Sequence, residues 1–158
     1  MTRQKTWTSP VLSAGTHTVR FEHASGAVTD VDGIRIIDAP TYDDPDTAWT
    51  YTGAWATYNG SGPYNNTLHY SAALEDYATF TFEGSKFSLT YTKNAYRGNL
   101  DVYIDDDMVY TLNEYSYTTM WQQTWTSSTL SDGVHTVKFE HASGTYVDID
   151  AIQIFGPP

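Results

Sequence analysis

Apolar and polar residues alternate with period two along most of the chain. Ala78, Phe80 and Phe82 share one parity, and Thr79 and Thr81 take the other. Phe87, Leu89 and Tyr91 resume the pattern after Glu83-Gly84-Ser85. Leu100, Val102 and Ile104 alternate with Asp101, Tyr103 and Asp105; His135, Val137, Phe139 and His141 alternate with Thr136, Lys138 and Glu140. Such alternation predicts strands with one apolar face, and no stretch shows helical spacing. Turn-forming clusters separate the runs: Asn59-Gly60-Ser61-Gly62-Pro63, Arg97-Gly98-Asn99, Asp105-Asp106-Asp107, Ser131-Asp132-Gly133 and Ser143-Gly144. The expected fold is all-β, a two-sheet antiparallel jelly-roll sandwich.

The pattern also repeats at long range. Residues 5–40 return at 123–158 with a constant offset of about 118 residues, without a gap, and with more than half the positions identical. A period that long is a domain, since solenoid and propeller periods run from about 20 to 50 residues. Residues 41–158 are therefore expected to form one full sandwich domain. Residues 1–40 read as the closing strands of a preceding repeat, or as strands donated elsewhere. The two tails offer the same inward set: Leu12 and Leu130, Val19 and Val137, Phe21 and Phe139, Ile34 and Ile152, Ile36 and Ile154. Burying each large side chain is worth ~1.5–3 kcal/mol. Residues 5–40 are thus expected to pack as strands, on this domain or by self-association into a neighbouring molecule.

Charge narrows the partners. The chain has 19 carboxylates against 8 scattered Lys and Arg, a formal net charge of -11. No basic patch exists for nucleic acid or for an anionic membrane surface. No apolar run approaches the ~18 residues of a membrane span, so no membrane insertion is expected. Cysteine is absent. Thirteen Tyr, five Trp and six Phe, with abundant Thr and Ser, suit an extracellular or cell-surface β-protein that meets sugars. The same residues also simply favour strands.

An ordered set of strings carries a resemblance. It runs through Asp43-Asp44, Trp49-x-Tyr51-x-Gly53-x-Trp55, Thr67-Leu68-His69-Tyr70-Ser71 and Ala78-Thr79-Phe80-Thr81-Phe82-x-Gly84. It continues with Val102-Tyr103-Ile104-Asp105, Gln122-Gln123, Gly133-x-His135-Thr136-Val137 and Val147-Asp148-Ile149-Asp150-Ala151-Ile152. Residues 41–158 thereby resemble the galactose-binding-like jelly-roll domains of bacterial and fungal surface proteins. These are related in architecture to the family 6 and family 35 carbohydrate-binding modules. In those modules a first-strand acid and a last-strand Asp share a structural Ca²⁺. The resemblance implies that Asp150, with Asp43 or Asp44, could form such a site, although the usual Glu-x-Glu of the first strand is missing. The alternative is a buried carboxylate held by backbone N–H groups.

Other polar residues read as structural. The His17/His135 and His23/His141 pairs lie on the inward parity. Asp105-Asp106-Asp107 reads as a tight turn, not a metal cluster. Loop residues supply candidates for a sugar site: Trp55, Tyr58, Tyr64, Asn65 and Asn66 in one loop region; Lys93, Asn94, Tyr96 and Arg97 in a second; Tyr115, Tyr117 and Trp121 in a third. Aromatic rings cover the apolar face of a sugar, and amide and guanidinium groups bind its hydroxyls. The ligand-binding set is taken as Trp55, Tyr58, Tyr64, Asn66, Asn94, Arg97, Tyr115 and Trp121. The same aromatics could equally be core or strand lining. No paired acid and base stands out above the turn aspartates, so the chain reads as a non-catalytic, glycan-binding module of an extracellular tandem-repeat protein and not as an enzyme. The alternative is a structural repeat of a stalk, adhesin or filament that assembles through its duplicated tail.

Overall fold

The computed structural model describes residues 7, 9, 17–34 and 39–156. The chain divides into two units, Met1–Ile36 and Ile37–Pro158. Among the described residues, the larger unit holds twelve strands. They are β1 (Thr41–Asp43), β2 (Trp49–Thr52), β3 (Trp55–Asn59), β4 (Thr67–Ser71), β5 (Tyr77–Gly84) and β6 (Lys86–Lys93). There follow β7 (Asn99–Ile104), β8 (Asp107–Asn113), β9 (Met120–Thr126), β10 (Gly133–Ser143), β11 (Val147–Ile149) and β12 (Ala151–Phe155). One 3₁₀ turn, Tyr64–Asn66, precedes β4. All pairings between strands are antiparallel.

A five-stranded sheet has the order β2-β5-β10-β7-β8, and a four-stranded sheet the order β1-β12-β6-β9. Their apolar faces meet in one core. Phe87 of β6 touches Phe82 of β5 and Phe139 of β10, with ring centroids 5.6 and 6.1 Å apart. The inward parities expected at Phe80, Phe87, Leu89, Val102, Val137 and Phe139 are all buried. This is the sandwich that the alternation predicts.

A third sheet, β11-β4-β3, continues from the same run of chain as β12. The run 147–155 breaks at Asp150. There the N–H donates to Thr90 O at 3.0 Å, and the carbonyl accepts Asp44 N–H at 2.9 Å. The expected turn at the three aspartates is present: Asp105 and Asp106 have φ of 51° and 72° and link β7 to β8. Left-handed φ at both central residues is the geometry of a two-residue hairpin turn, which Asp tolerates.

Residues 17–34 form no strand, and their large apolar side chains are exposed. Position β10 in the five-stranded sheet, between β5 and β7, is filled by the C-terminal tail. Leu12 and Ile36, named as inward residues of the N-terminal tail, lie outside the described residues.

Candidate functional site

Strand β4 places two sites back to back. Successive side chains of a strand point to opposite faces. Leu68 and Tyr70 take one face, with Tyr58 of β3 directly opposite Leu68 in register. Thr67 and His69 take the other face and reach Asp44.

The first face opens on a cleft of about 290 Å³. Tyr58, Tyr70 and Trp121 line it, with Tyr96 and Tyr146 from two loops and Leu68 between them. The polar groups in the lining are Asn94 and Arg97. Trp121 and Tyr58 lie nearly parallel, with ring centroids 5.9 Å apart and planes at 21°. A bulge sets this orientation: the register of β6 against β9 shifts between Tyr91 and Lys93, and Gln122 takes φ 50°. Gln122 Nε2 then donates to Gly62 O at 2.9 Å. Gly62 has φ 124°, and a Cβ there would collide with the Trp121 indole.

Asn94 begins a tight loop. Its side-chain carbonyl accepts Tyr96 N–H at 2.8 Å, so the amide nitrogen remains as a donor. Arg97 is held from below. Its Nε lies 2.6 Å from Asp148 Oδ2, and its guanidinium carbon stands 6.0 Å from the Tyr70 ring centroid. Asp148 pairs with Tyr70 in the β11–β4 register, which puts both on the cleft side. Its Oδ1 accepts Thr92 N–H at 2.8 Å. Behind it, buried Glu114 accepts Asp148 N–H at 3.0 Å. Burial raises both acids: Asp148 goes to about 6 although Arg97 pulls it down, and Glu114 lies well above the usual carboxylate range.

On the opposite face Asp43, Asp44 and Asp150 come together, with a ligand atom of each within 4.8 Å of the others. Asp44 takes Thr67 Oγ1 and His69 Nδ1, each at 2.6 Å. Tyr64 N–H donates to both oxygens of Asp150, at 2.9 and 3.1 Å. Asp43 accepts Asn65 Nδ2 at 3.1 Å and Asp44 N–H at 3.1 Å. Burial and the neighbouring carboxylates push Asp150 up to about 7 and raise Asp43. The donor set is all oxygen, and each carboxylate oxygen keeps a second lone pair beside its hydrogen bond, which suits a hard divalent cation.

Of the eight residues named for a sugar site, Tyr58, Asn94, Arg97 and Trp121 line the cleft together. Trp55 falls on the other parity of β3 and packs on Tyr51, with centroids 5.2 Å apart. Tyr64 and Asn66 belong to the 3₁₀ turn, where the Tyr64 backbone serves Asp150. Tyr115 bridges Asn94 through the backbone, outside the lining. Sequence reasoning left out Leu68, Tyr70, Tyr146, Asp148 and Glu114. Parity with Leu112 was the available signal for Glu114. Two histidines are structural in placement: His141 is buried, and His135 Nδ1 lies 2.6 Å from Asp105 Oδ2, whereas His17 and His23, expected on the inward parity, are exposed.

No protein-family model matches the chain. Two curated relatives come from Flavonifractor plautii. An "A type blood alpha-D-galactosamine galactosaminidase" is 28% identical over 133 residues, 80% of this chain and 12% of the relative. An "A type blood N-acetyl-alpha-D-galactosamine deacetylase" is 27% identical over 121 residues, 75% of this chain and 16% of the relative. The chain thus spans a small part of either.

Similar folds recur in solved structures. A family two carbohydrate esterase from Cellvibrio japonicus gives a TM-score of 0.59 at 16% identity, over 76% of this chain and 34% of that one. An exo-beta-1,3-galactanase from Phanerochaete chrysosporium gives 0.57 at 14% identity, over 77% and 30%. The catalytic domain of an alpha-1,3-glucanase in complex with nigerose gives 0.56 at 13%, over 75% and 28%.

The β-sandwich thus has the fold of domains found in carbohydrate-active proteins. The expectation that the protein is not an enzyme is overturned, because its relatives are named as a galactosaminidase and a deacetylase. Its structural neighbours are likewise hydrolases and an esterase. No acid–base pair stands out in the sequence, and the chain matches only 12% and 16% of the length of these relatives.

Proposed function

We propose that residues 41–156 form a glycan-binding domain within a carbohydrate-processing enzyme, with the architecture of the family 6 and family 35 modules. One observation carries the reading. Tyr58 and Trp121 stack beside Asn94 and Arg97 in a cleft of about 290 Å³. The rings offer flat apolar surface to a pyranose face, while the amide and guanidinium offer donors to its hydroxyls. The charge of Arg97 is compensated by Asp148, which favours a neutral sugar over an anionic one. The test is affinity electrophoresis and a glycan array with the parent chain and Trp121→Ala. Binding that is lost in Trp121→Ala with an unchanged melting temperature supports the reading. An array without a single retained glycan removes it.

For the acidic cluster the proposal is a structural Ca²⁺ held by Asp43, Asp44 and Asp150. Burial raises Asp43 and Asp150, with repulsion among the neighbouring carboxylates adding to it, and a bound cation would offset both. Ca²⁺ should raise the melting temperature and a chelator should lower it. Asp150→Asn should abolish the difference. Identical melting curves in Ca²⁺ and in chelator end the proposal.

A further inference from the structure

Residues 17–34 are a second copy of a segment whose place in the fold is known. Their twins, residues 135–152, build most of β10, all of β11 and the start of β12. Val137, Phe139, Ile149 and Ile152 are each 0% exposed in that place. Val19, Phe21, Val31 and Ile34 are 56%, 54%, 52% and 65% exposed. The chemistry at the paired positions is kept. Phe21 matches Phe139, Arg20 replaces Lys138, Val31 replaces Ile149, and Asp30 retains the carboxylate that Asp148 presents to Arg97. Sequence so close to that of β10 and β11 specifies the same register on the same neighbours, β5 and β7 for the first and β4 for the second.

We propose that residues 17–34 are a strand donor whose partner is a second copy of this chain. They take the place of β10 between β5 and β7, and of β11 beside β4, when that copy's own closing strands are out. In a chain with β10 in place the position is full, and the tethered strand holds it through its high effective concentration. Donation therefore shows when the acceptor's own strand is weakened. The register is defined in advance. Thr136 faces Thr81, with their hydroxyls 3.0 Å apart, so the twin Thr18 should face Thr81 in the acceptor.

The chain has no cysteine, which permits a clean cross-linking test. The donor is the full chain carrying Thr18→Cys. One acceptor is the full chain with Phe21→Asp, Phe139→Asp and Thr81→Cys, so that neither of its own tails can close it. A milder acceptor carries Val137→Ala and Thr81→Cys, in case the first does not fold. Directly opposed residues lie within disulfide range. The expected result is a disulfide-linked heterodimer, stronger with either weakened acceptor than with Thr81→Cys alone. It should be absent when the acceptor cysteine sits at Thr79, which faces Lys138. No heterodimer with either acceptor overturns the proposal, as does equal linkage at Thr79 and Thr81.

Discussion

Arg97→Met isolates the energetics beneath the cleft. The substitution keeps length and apolar stem but removes the cation that Asp148 faces at 2.6 Å. Asp148 is fully buried, with Glu114 buried behind it. An acid whose folded pKa lies above its unfolded value binds more protons when folded. This part of the stability is therefore greatest at low pH and falls as pH rises through the folded pKa. For Asp148 the interval runs from 3.8 to about 6, which costs the parent on the order of 3 kcal/mol at neutral pH. Arg97 limits that cost, so its loss carries the folded pKa of Asp148 higher still.

Breaking a buried pair by removing one partner costs ~3–5 kcal/mol. At roughly 2–8 °C per kcal/mol for domains near this size, the melting temperature should drop by about 6 °C or more at neutral pH. At about pH 5 Asp148 can be neutral in the folded variant, and the deficit should shrink. Asp148→Asn in the Arg97→Met background should recover part of the loss at neutral pH. Thermal unfolding followed by circular dichroism at both pH values decides the matter. A deficit of equal size at the two pH values, or none at neutral pH, would refute the argument.

Phe87→Ala should cost ~3–5 kcal/mol, read as a lowered urea midpoint with an unchanged slope, because Phe87 is fully buried against Phe82, Trp125 and Phe139. His135→Gln should destabilise mainly between about pH 4 and 6.5. The Asp105 hydrogen bond raises His135, a contribution present below the ordinary His value and lost as pH rises through the folded one. The same bond lowers Asp105, a contribution lost as pH falls through its folded value, so melting differences against pH should trace that window. Gly62→Ala should weaken sugar binding and shift Trp fluorescence, since its methyl displaces the Trp121 ring and φ 124° strains any other residue by ~1–3 kcal/mol. Unchanged binding in that variant would separate Trp121 from the site.

Period-two alternation already contained β5, β6, β7 and β10 with their inward faces, because the pleat imposes that spacing on each segment separately, and turn chemistry marked the hairpin at Asp105-Asp106. The burial of Asp150 was not a matter of parity, since Ile149 and Ala151 on the other parity are equally buried and the strand run breaks between them. The cleft was not legible in the sequence. Tyr58, Tyr70, Arg97, Trp121 and Tyr146 come from separate strands and loops, and only the β3–β4 register, the β9 bulge and the β11–β4 pairing bring them together. Parity within β3 separates Tyr58 from Trp55, yet no local rule says which parity faces a ligand. The duplicated tail marks the limit most clearly. Two segments that share more than half their residues have similar propensity, pattern and apolar content, but Phe139 is buried and Phe21 exposed. The β10 position between β5 and β7 has room for one strand, and the chain entering directly from β9 fills it.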